Sequence, residues 1–328
     1  MSLPIALDAM GGDFAPGEII AGARRAVDEL GLKVTLVGVP ELMGDPRGLD
    51  VVACTEVIAM DDDPAASVRR KKDSSLVRAA ELVREHQACA MVSAGNTGAT
   101  MASALLRMGR LPGVVRPCIA TPIPRPGGTP SVLVDAGANA ECTAEMLVQF
   151  AQMASSYVSA HYGVHDPTVG LLSIGEEASK GSPLVKETHA LLTEMATINF
   201  AGNVEGRDFL PAPVDVIVTD GFTGNVALKT LEGALQFIFA TVLEVVGTNE
   251  KTRAAGDVLF EYLLPVVSTL TPENQGGAML LGLNGICVIS HGSSNATAIM
   301  NALRVAAEMD RAGVVDKLRT TIRPGEGV

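Results

Sequence analysis

The residues best suited to chemistry lie in six short segments, each of which follows a run of apolar residues. The segments combine glycine with Asp, Asn, Ser or Thr: DAMGGD (8–13), SAGNTGA (93–99), DAGAN (135–139), SIGEEASKGS (173–182), DGFTGN (220–225) and HGSSN (291–295). Glycine lets the backbone approach a ligand closely, and the N-terminus of a following helix offers unpaired N–H groups and a positive dipole end. This combination is typical of a binding site for an anion.

Two of the segments echo each other, since GNTG at 95–98 resembles GFTG at 221–224. In each, the Thr can cap the next helix or point at a ligand. One such loop alone is more often plain turn and cap chemistry. Six loops at the carboxyl ends of strands in one sheet would gather around one crevice, and that arrangement favours an anion site.

A small cationic set accompanies these loops: Lys180, Arg207, Lys229 and His291. For each residue alone, a structural salt bridge is as good an interpretation as a functional role. Their position at the ends of predicted strands favours function.

Several common site types are disfavoured because their motifs are missing. The sequence has no G-x-x-x-x-G-K-[ST] phosphate loop, no G-x-G-x-x-G after the first strand and no G-x-S-x-G elbow. The acidic run 61–63 is best interpreted as a solvated turn, and the His161–His165 pair lacks an acidic partner between its members. We therefore predict no metal site.

Composition narrows the function classes further. The 328 residues carry a formal net charge of −12, which disfavours nucleic-acid binding because phosphate neutralisation needs a basic face. Five cysteines without a CxxC pair indicate buried thiols in a reducing cytoplasm. The N-terminus lacks the basic region of a signal peptide, and no transmembrane span is predicted. Residues 274–303 contain no Asp, Glu, Lys or Arg, and we interpret them as buried backbone near a site.

Short apolar runs alternate with helical patterns along the chain, which favours an α/β fold with a mostly parallel, doubly wound sheet. The predicted strands are Leu3–Asp8, Lys33–Gly38, Val51–Cys54, Cys89–Ser93, Cys118–Thr121, Ser131–Asp135, Thr168–Ser173, Thr197–Ala201, Val214–Thr219 and Gly285–Ile289. The predicted helices are Pro16–Leu30, Ser74–Glu85, Thr97–Met108, Thr143–Tyr162, Pro183–Met195, Asn225–Val246 and Ser293–Ala312. No linker divides the chain, so residues 1–328 are predicted to form one catalytic unit.

An apolar helical hairpin at about 231–270 is predicted as an appendage to this unit. Residues 231–246 have a single polar stripe, and the apolar stretch 258–270 is expected to kink or end near Pro265. Packing in the core or between two subunits is the favoured interpretation, with lipid contact as the alternative.

As a set, nine segments closely resemble the acyl-carrier-protein:phosphate acyltransferases of bacterial phospholipid synthesis. The matching segments are ALDAMGGD, RRKKDSSL, SAGNTGA, DAGAN, GLLSIGEEASKG, NFAGNVEGRD, DVIVTDGFTGNVALKTLEG, GGAMLLGLNG and SHGSSN. The resemblance implies a three-layer α/β/α sandwich with a mostly parallel sheet, related to phosphotransacetylases and isopropylmalate-type dehydrogenases. It also implies a homodimer at the inner face of the plasma membrane.

The implied reaction joins a fatty acyl group from acyl carrier protein to inorganic phosphate. The acyl phosphate is then used by a membrane glycerol-3-phosphate acyltransferase, a further implied partner. Because phosphate itself attacks the thioester, no nucleophilic side chain, metal or organic cofactor is required. Between Gln236 and Gln275 the only basic residues are Lys251 and Arg253, which predicts weak membrane attraction.

On this interpretation Lys180 and His291 are the catalytic candidates. The crevice for phosphate and acyl-pantetheine is expected to include Asp8, Gly11, Gly12, Asn96, Thr97, Gly98, Asn139, Arg207, Asp220, Thr223, Asn225, Ser293 and Ser294. Two other functions stay open: a short-chain phosphotransacetylase that uses acyl-coenzyme A, and a membrane-associated scaffold without activity.

The densest basic run, Arg69 to Lys72, is a candidate docking surface for the acidic carrier protein, and Arg24–Arg25 is a lesser one. The alternatives are a solvated helix end, or a contribution of residues 71–75 to the active site itself.

Overall fold

Eleven strands form a single sheet in this computed structural model, which describes residues 3–125, 128–211, 213–270 and 276–322. In chain order they are β1 (Ile5–Asp8), β2 (Val34–Gly38), β3 (Asp50–Ala53), β4 (Ala90–Ser93), β5 (Cys118–Ile123), β6 (Ser131–Val134), β7 (Thr168–Leu172), β8 (Asn199–Val204), β9 (Val216–Val218), β10 (Ala278–Leu281) and β11 (Ile286–Ile289). Their order across the sheet is β3-β2-β1-β4-β11-β10-β5-β6-β9-β7-β8.

The sheet consists of two parallel halves that run in opposite directions. Strands β1 to β4 and β11 are parallel to their neighbours, as are β6, β9, β7 and β8. Between the halves, β10 is antiparallel to β11 and to β5, and β5 is antiparallel to β6. The predicted α/β fold with a mostly parallel sheet is confirmed, and the central reversal is the feature that the sequence did not indicate.

The twist that is general in β-sheets offsets part of this reversal. At the average of about 20–25° for each adjacent pair, the five steps from β1 to β6 would accumulate roughly 100–125°. With the reversal, the carboxyl ends of β1 and β6 would then point about 55–80° apart instead of 180°. We therefore expect loops from both halves to face one region.

Strand β10 was missing from the sequence prediction. Its four residues AMLL stand between Gly277 and Gly282, both of which have a positive φ. So short an apolar run with glycines at both ends looks like loop, although the strand lies near the centre of the sheet.

Eleven α-helices lie within the described residues. They are α1 (Gly17–Leu30), α2 (Pro40–Met43), α3 (Pro64–Arg70), α4 (Ser75–Arg84), α5 (Thr97–Met108), α6 (Ala144–Tyr162), α7 (Pro183–Glu194), α8 (Gly221–Gly247), α9 (Glu250–Leu270), α10 (Ala296–Ala312) and α11 (Val314–Thr321). Helices α2, α3 and α11 and the first two turns of α9 were not predicted.

Alternating side chains of the strands build two apolar layers. Ile5 and Leu7 of β1 face the layer that holds α1, α6, α7, α10 and α11, whereas Ala6 faces the layer that holds α3, α4 and α5. This period of two is what a sheet buried on both faces requires. The α/β/α sandwich is thereby formed.

Helices α8 and α9 form a hairpin whose outer surface is unburied in the single chain. Helix α8 starts at Gly221, four residues before the predicted start, and α9 continues to Leu270 without ending near Pro265. Gly256 of α9 lets Val246 of α8 approach closely. Phe237 and Tyr262 are 73% and 72% exposed, so packing in the core of the single chain is excluded for these positions. By length and composition alone, α8 could cross a membrane.

Candidate active site

Three loops that follow the neighbouring strands β1, β4 and β11 are in mutual contact. We call residues 8–13, 93–99 and 290–295 the first loop set. The N–H of Asp13 donates to the carbonyl of Gly292 at 2.8 Å. A Cβ on Gly11 would lie 2.7 Å from the nitrogen of Gly95, so only glycine fits this approach. The three loops thus form one backbone surface.

The buried carboxyl of Asp8 fastens two of these loops together. Its Oδ2 accepts a hydrogen bond from the Ser93 hydroxyl at 2.7 Å, and its Oδ1 accepts one from the N–H of Met10 at 3.1 Å. The Ser93 hydroxyl in turn accepts from the N–H of Gly95 at 2.9 Å. Burial raises the pKa of Asp8 above its ordinary value. Asp8 therefore positions the site from beneath and does not face the solvent.

Other polar side chains of the first loop set are also used internally. Asn96 accepts from the N–H of Ala99 and so caps α5, and its amide donates to the carbonyl of Met60 at 2.8 Å. The buried Ser294 hydroxyl donates to the carbonyl of His291 at 2.6 Å. Thr97 and Ser293 remain exposed. The surface that this set presents is therefore largely backbone, together with these two hydroxyl residues.

His291 lies at the exposed rim of the first loop set. Its Nδ1 accepts from the N–H of Ser293 at 3.3 Å and lies 2.8 Å from the Ser293 hydroxyl. Because Nδ1 serves as an acceptor, the neutral ring carries its proton on Nε2. His291 can therefore donate a hydrogen bond outward.

The second loop set comprises residues 135–139, 173–182, 205–208 and 220–225, which follow β6, β7, β8 and β9. At its base lies Asp135, whose side chain is fully buried. Its two carboxyl oxygens accept five hydrogen bonds, from the backbone N–H groups of Ile119, Gly137, Ala138 and Asn139 and from the Asn139 amide, at 2.8–3.2 Å. Burial raises the pKa of Asp135, and these hydrogen bonds act in the opposite direction.

The start of α8 is seated directly on this carboxylate loop. The N–H of Gly221 donates to the carbonyl of Asn139 at 2.8 Å. A Cβ on Gly224 would lie 2.0 Å from the carbonyl oxygen of Asp135. Asp220 caps the helix and accepts from both the N–H and the hydroxyl of Thr223 at 2.8 Å. The position of the helix N-terminus is thereby set by the Asp135 loop.

Among the four predicted cations, two are committed to ion pairs. Arg207 pairs with Glu176 and Glu205, and Lys229 pairs with Glu232. Lys180 is exposed, and its ammonium has no hydrogen bond or ion pair within the described ranges. Its turn is held by Glu177, whose carbonyl accepts from the N–H of Lys180 and from the amide of Asn203, both at 2.9 Å. Lys180 is thus a free charge on a fixed loop.

Asn225 is the other open group of the second loop set. It is exposed in the first turns of α8, beside Gly137, and its amide has no hydrogen bond within the described part of the chain. The side-chain amide of Asn139, in contrast, donates hydrogen bonds to the carboxylate of Asp135 and to the carbonyl of Pro117.

The prediction that all six loops lie in register along one edge is wrong, because the two sets follow strands of opposite direction. The three loops of the first set contact each other, and in the second set residues 220–225 contact 135–139 and residues 205–208 contact 173–182. No described hydrogen bond joins one set to the other. The two loop sets together are the candidate active site, with the N-terminal turns of α5 and α10 in the first and of α8 in the second, and we call the space between them the cleft.

A groove of about 650 Å³ lies beside the second loop set, between the N-terminal turn of α6 and helix α7. Its lining includes Cys142, Leu184 and the carboxylates of Glu145 and Glu187. Burial raises the pKa of the Cys142 thiol to about 11, so this cysteine is protonated at neutral pH. Two carboxylates without a cation make the groove unsuitable for phosphate.

Sequence reasoning missed two positioning residues, Asp135 and Ser93. Both stand at strand ends in quoted motifs, and a polar residue at the last position of an apolar strand was the signal that could have found them.

Comparison with known proteins agrees with this architecture. A family model described as "Fatty acid synthesis protein" matches residues 3–317. A phosphate acyltransferase from Elusimicrobium minutum is 47% identical over 97% of this chain and 95% of its own. One from Halothermothrix orenii is 44% identical over 97% of this chain and 98% of its own.

Solved structures share the fold at low sequence identity. A branched-chain phosphotransacylase from Enterococcus faecalis has a TM-score of 0.62 at 16% identity, covering 94% of this chain and 99% of its own. A phosphotransacetylase from Streptococcus pyogenes has a TM-score of 0.61 at 17% identity, covering 96% and 94%. The predicted relation to phosphotransacetylases is confirmed at the level of fold.

Proposed function

The chain belongs to the fatty acid synthesis protein family of phosphate acyltransferases, and from that membership we propose that it converts fatty acyl-[acyl carrier protein] and inorganic phosphate to acyl phosphate. The observation that carries this proposal is the match to phosphate acyltransferases along almost the whole chain, both loop sets included. The product is the first intermediate toward phosphatidic acid in phospholipid synthesis.

The chemistry requires an anion site and a stabilised oxyanion. An oxygen of hydrogen phosphate attacks the thioester carbonyl carbon and forms a tetrahedral intermediate. As the intermediate collapses, the C–S bond breaks, and the carrier leaves as a thiol that takes up the proton given up by the hydrogen phosphate. The N-terminal turns of α5 and α8 supply positive dipole ends for the phosphate. In α8 the N–H groups of Gly221, Thr223 and Gly224 are already bonded to Asn139 and Asp220, so this helix contributes its dipole and not these three donors. No side chain needs to act as nucleophile in this scheme.

Lys180 and His291 have separate roles in the proposal. The free Lys180 ammonium on the second loop set balances the charge of phosphate and of the developing oxyanion. One well-placed donor of this kind is worth about 3–4 kcal/mol. His291, with its outward Nε2–H, hydrogen-bonds the leaving sulfur from the first loop set. Thr97, Ser293 and Asn225 complete the polar lining.

The remaining predicted residues support the loops that line this cleft. Gly11, Gly12 and Gly98 let the loops of the first set approach each other, and Asp8, Asn96 and Ser294 fix them. Asn139, Asp220 and Thr223 fix the start of α8 in the same way. Arg207 holds its loop through Glu176 and Glu205.

The hairpin α8–α9 is proposed to mediate homodimer contact and peripheral contact with the inner face of the plasma membrane. Its outward apolar residues include Phe237, Ile238, Leu259 and Tyr262, all at least half exposed. With only Lys251 and Arg253 between 236 and 275, attachment rests on apolar contact and is weak and insensitive to salt. This cytoplasmic position would deliver acyl phosphate to the membrane glycerol-3-phosphate acyltransferase.

The deciding experiment is mass-spectrometric detection of acyl phosphate. The purified protein is given phosphate with acyl-[acyl carrier protein] or with acyl-coenzyme A, and sulfate replaces phosphate in the control. We expect phosphate-dependent product from the carrier-bound donor. Product from acyl-coenzyme A alone would instead support the short-chain phosphotransacetylase, and no product from either donor would support the scaffold.

Vesicle flotation and sedimentation velocity test the hairpin separately. Leu264→Glu should reduce flotation or dissociate a dimer, whereas Glu261→Gln, an exposed change on the same helix, should do neither. Equal behaviour of the parent and both variants in both measurements would refute the two hairpin roles.

A further inference from the structure

The basic run at the end of α3 is divided by the structure into one inward and three outward side chains. Lys71 turns inward, where its ammonium donates to the carbonyl of Val57 at 2.8 Å and pairs with Asp62 at 2.5 Å. Arg69, Arg70 and Lys72 are exposed, and none of them has an ion pair within the described residues.

Clustering distinguishes these three cations from the other arginines of the chain. Arg24, Arg25 and Arg304 are half-buried, and each pairs with a carboxylate one helical turn away. Arg311 is exposed and also has no ion pair within the described residues, but it is a single charge. In a protein of net charge −12, three cations without an ion pair within four positions form a distinct positive patch.

The acidic residues near the patch compensate its charge only in part. Asp62 pairs with Lys71, and the charges of both Lys71 and Arg70 help to lower the pKa of its carboxyl. Asp63 caps the start of α3 through the N–H of Ala66, and Asp73 pairs with Arg78. Asp61 is exposed and precedes α3 by three residues.

The segment that carries the patch contacts the first loop set at two points. The amide of Asn96 donates to the carbonyl of Asp62 at 3.2 Å, and Asp62 is the ion-pair partner of Lys71. Pro64, the first residue of α3, lies against Gly98, where a Cβ would come within 2.7 Å of its ring. The start of α3 is therefore packed against the first loop set, and the basic patch lies at the other end of this short helix, within about 10 Å.

We propose that Arg69, Arg70 and Lys72 form the docking surface for an acidic acyl carrier protein. The inference rests on the proposed function, since it names the protein that presents the thioester. Exposed charges at a rim act mainly on the rate of encounter and are screened by salt, which suits a partner that must leave after each turnover. Held there, an acidic carrier can extend its prosthetic arm past α3 into the cleft.

The test compares two donors in three proteins. Wild type, Arg69→Glu and the matched control Arg311→Glu, an equally exposed arginine at the far end of α10, are assayed with acyl-[acyl carrier protein] and with a small acyl-pantetheine thioester. For Arg69→Glu, we expect the KM for the carrier-bound donor to rise at least tenfold at low salt and to approach the wild-type value at high salt. The KM for acyl-pantetheine should stay unchanged, as should both values for Arg311→Glu.

Three results would overturn the proposal. An unchanged carrier KM at low salt would show that the patch does not dock the carrier. An equal loss with both donors would assign Arg69 to the site or the fold. Reduced flotation with anionic vesicles at an unchanged carrier KM would assign the patch to the membrane.

Titration of the three proteins with holo acyl carrier protein measures binding of the carrier directly, so this result does not depend on whether the reaction takes place. If wild type forms no acyl phosphate but binds the carrier through Arg69, the proposed function fails and the docking surface stands. If it forms acyl phosphate and Arg69→Glu binds the carrier normally, only the docking surface fails.

Discussion

The two loop sets solve the same positioning problem with different chemistry. Each has a buried aspartate at the end of a strand, Asp8 in the first set and Asp135 in the second. Asp8 is bonded to the hydroxyls of Ser93 and Ser75 and to the backbone N–H groups of Met10 and Gly11, and it links two separate loops. Asp135 collects five N–H donors and organises its own loop, on which α8 is seated.

This difference indicates a division of labour. In the first set most polar side chains hold the loops together, so its surface is largely backbone. The second set has the free ammonium of Lys180 on its surface, and the hairpin α8–α9 extends from it. A hydroxyl group can either donate or accept a hydrogen bond, whereas a backbone N–H group can only donate. We therefore expect the first set to tolerate change at its aspartate and the second set to resist it.

The largest effect is expected from Asp135→Asn. The new NH₂ group would face N–H donors that now meet a carboxylate oxygen, so at least two hydrogen bonds are lost and about 3 kcal/mol or more of the free energy of unfolding with them. Urea denaturation of the variant measures this loss. A loss no larger than that of Asp8→Asn would abolish the contrast between the sets.

Lys180→Ala should act on turnover and leave the fold intact. The side chain is exposed and has no partner within the described residues, so the melting temperature should not change. Turnover should fall at least tenfold, equivalent to about 1.4 kcal/mol in the barrier. Lys186→Ala, an exposed lysine on α7, is the control. Normal turnover of the folded variant would remove Lys180 from the mechanism.

A smaller effect, and one that depends on pH, is expected for Asp8→Asn. Because burial raises the pKa of Asp8 above 3.8, the folded protein keeps a proton that the unfolded chain has already lost. The resulting stabilisation is present in acid and is lost as the pH rises through the folded-state pKa. The stability of wild type relative to the variant should therefore fall between pH 4 and neutrality, as measured by denaturation at a series of pH values. A difference that grows with pH would contradict this assignment.

The smallest effect on folding is expected from Leu264→Glu in the hairpin that the second set carries. Leu264 is 51% exposed, so the free energy of unfolding of the isolated chain should change by no more than about 0.5 kcal/mol. Denaturation at a protein concentration where the chain is monomeric measures it. A large loss would mean that this helix is part of the core.

The sequence predicted the elements of the sheet better than their arrangement. All ten predicted strands have a counterpart in the sheet, and the helix Thr97–Met108 has both of its predicted ends, because these elements follow from local composition and periodicity. The reversal at β10 and β5 does not, because strand direction depends on pairing between segments more than 150 residues apart. Strand β10 itself is too short for its pattern to be distinguished from a loop.

The sequence identified the loops of the candidate site but not the geometry of their side chains. Glycine next to polar residues marked all six segments, and the free Lys180 was found among four candidate cations. Whether a side chain faces inward, as Asn96 and Ser294 do, depends on partners such as the Met60 carbonyl that no local pattern reveals. The echo between GNTG and GFTG is also not structural, because α5 begins at the Thr of the first motif and α8 at the first Gly of the second.

The central strands of the sheet are the last to be synthesised. Strands β10 and β11 lie between β4 and β5, yet they come from residues 278–289, near the end of the chain. While the ribosome is still translating, the sheet can exist only as two separate pieces, each with one unpaired inner edge, at β4 and at β5. Exposed edges of this kind invite pairing with other chains. Until the last sixth of the chain emerges and β10 and β11 join the two pieces, the nascent protein therefore depends on protection of these edges or on rapid completion of the sheet.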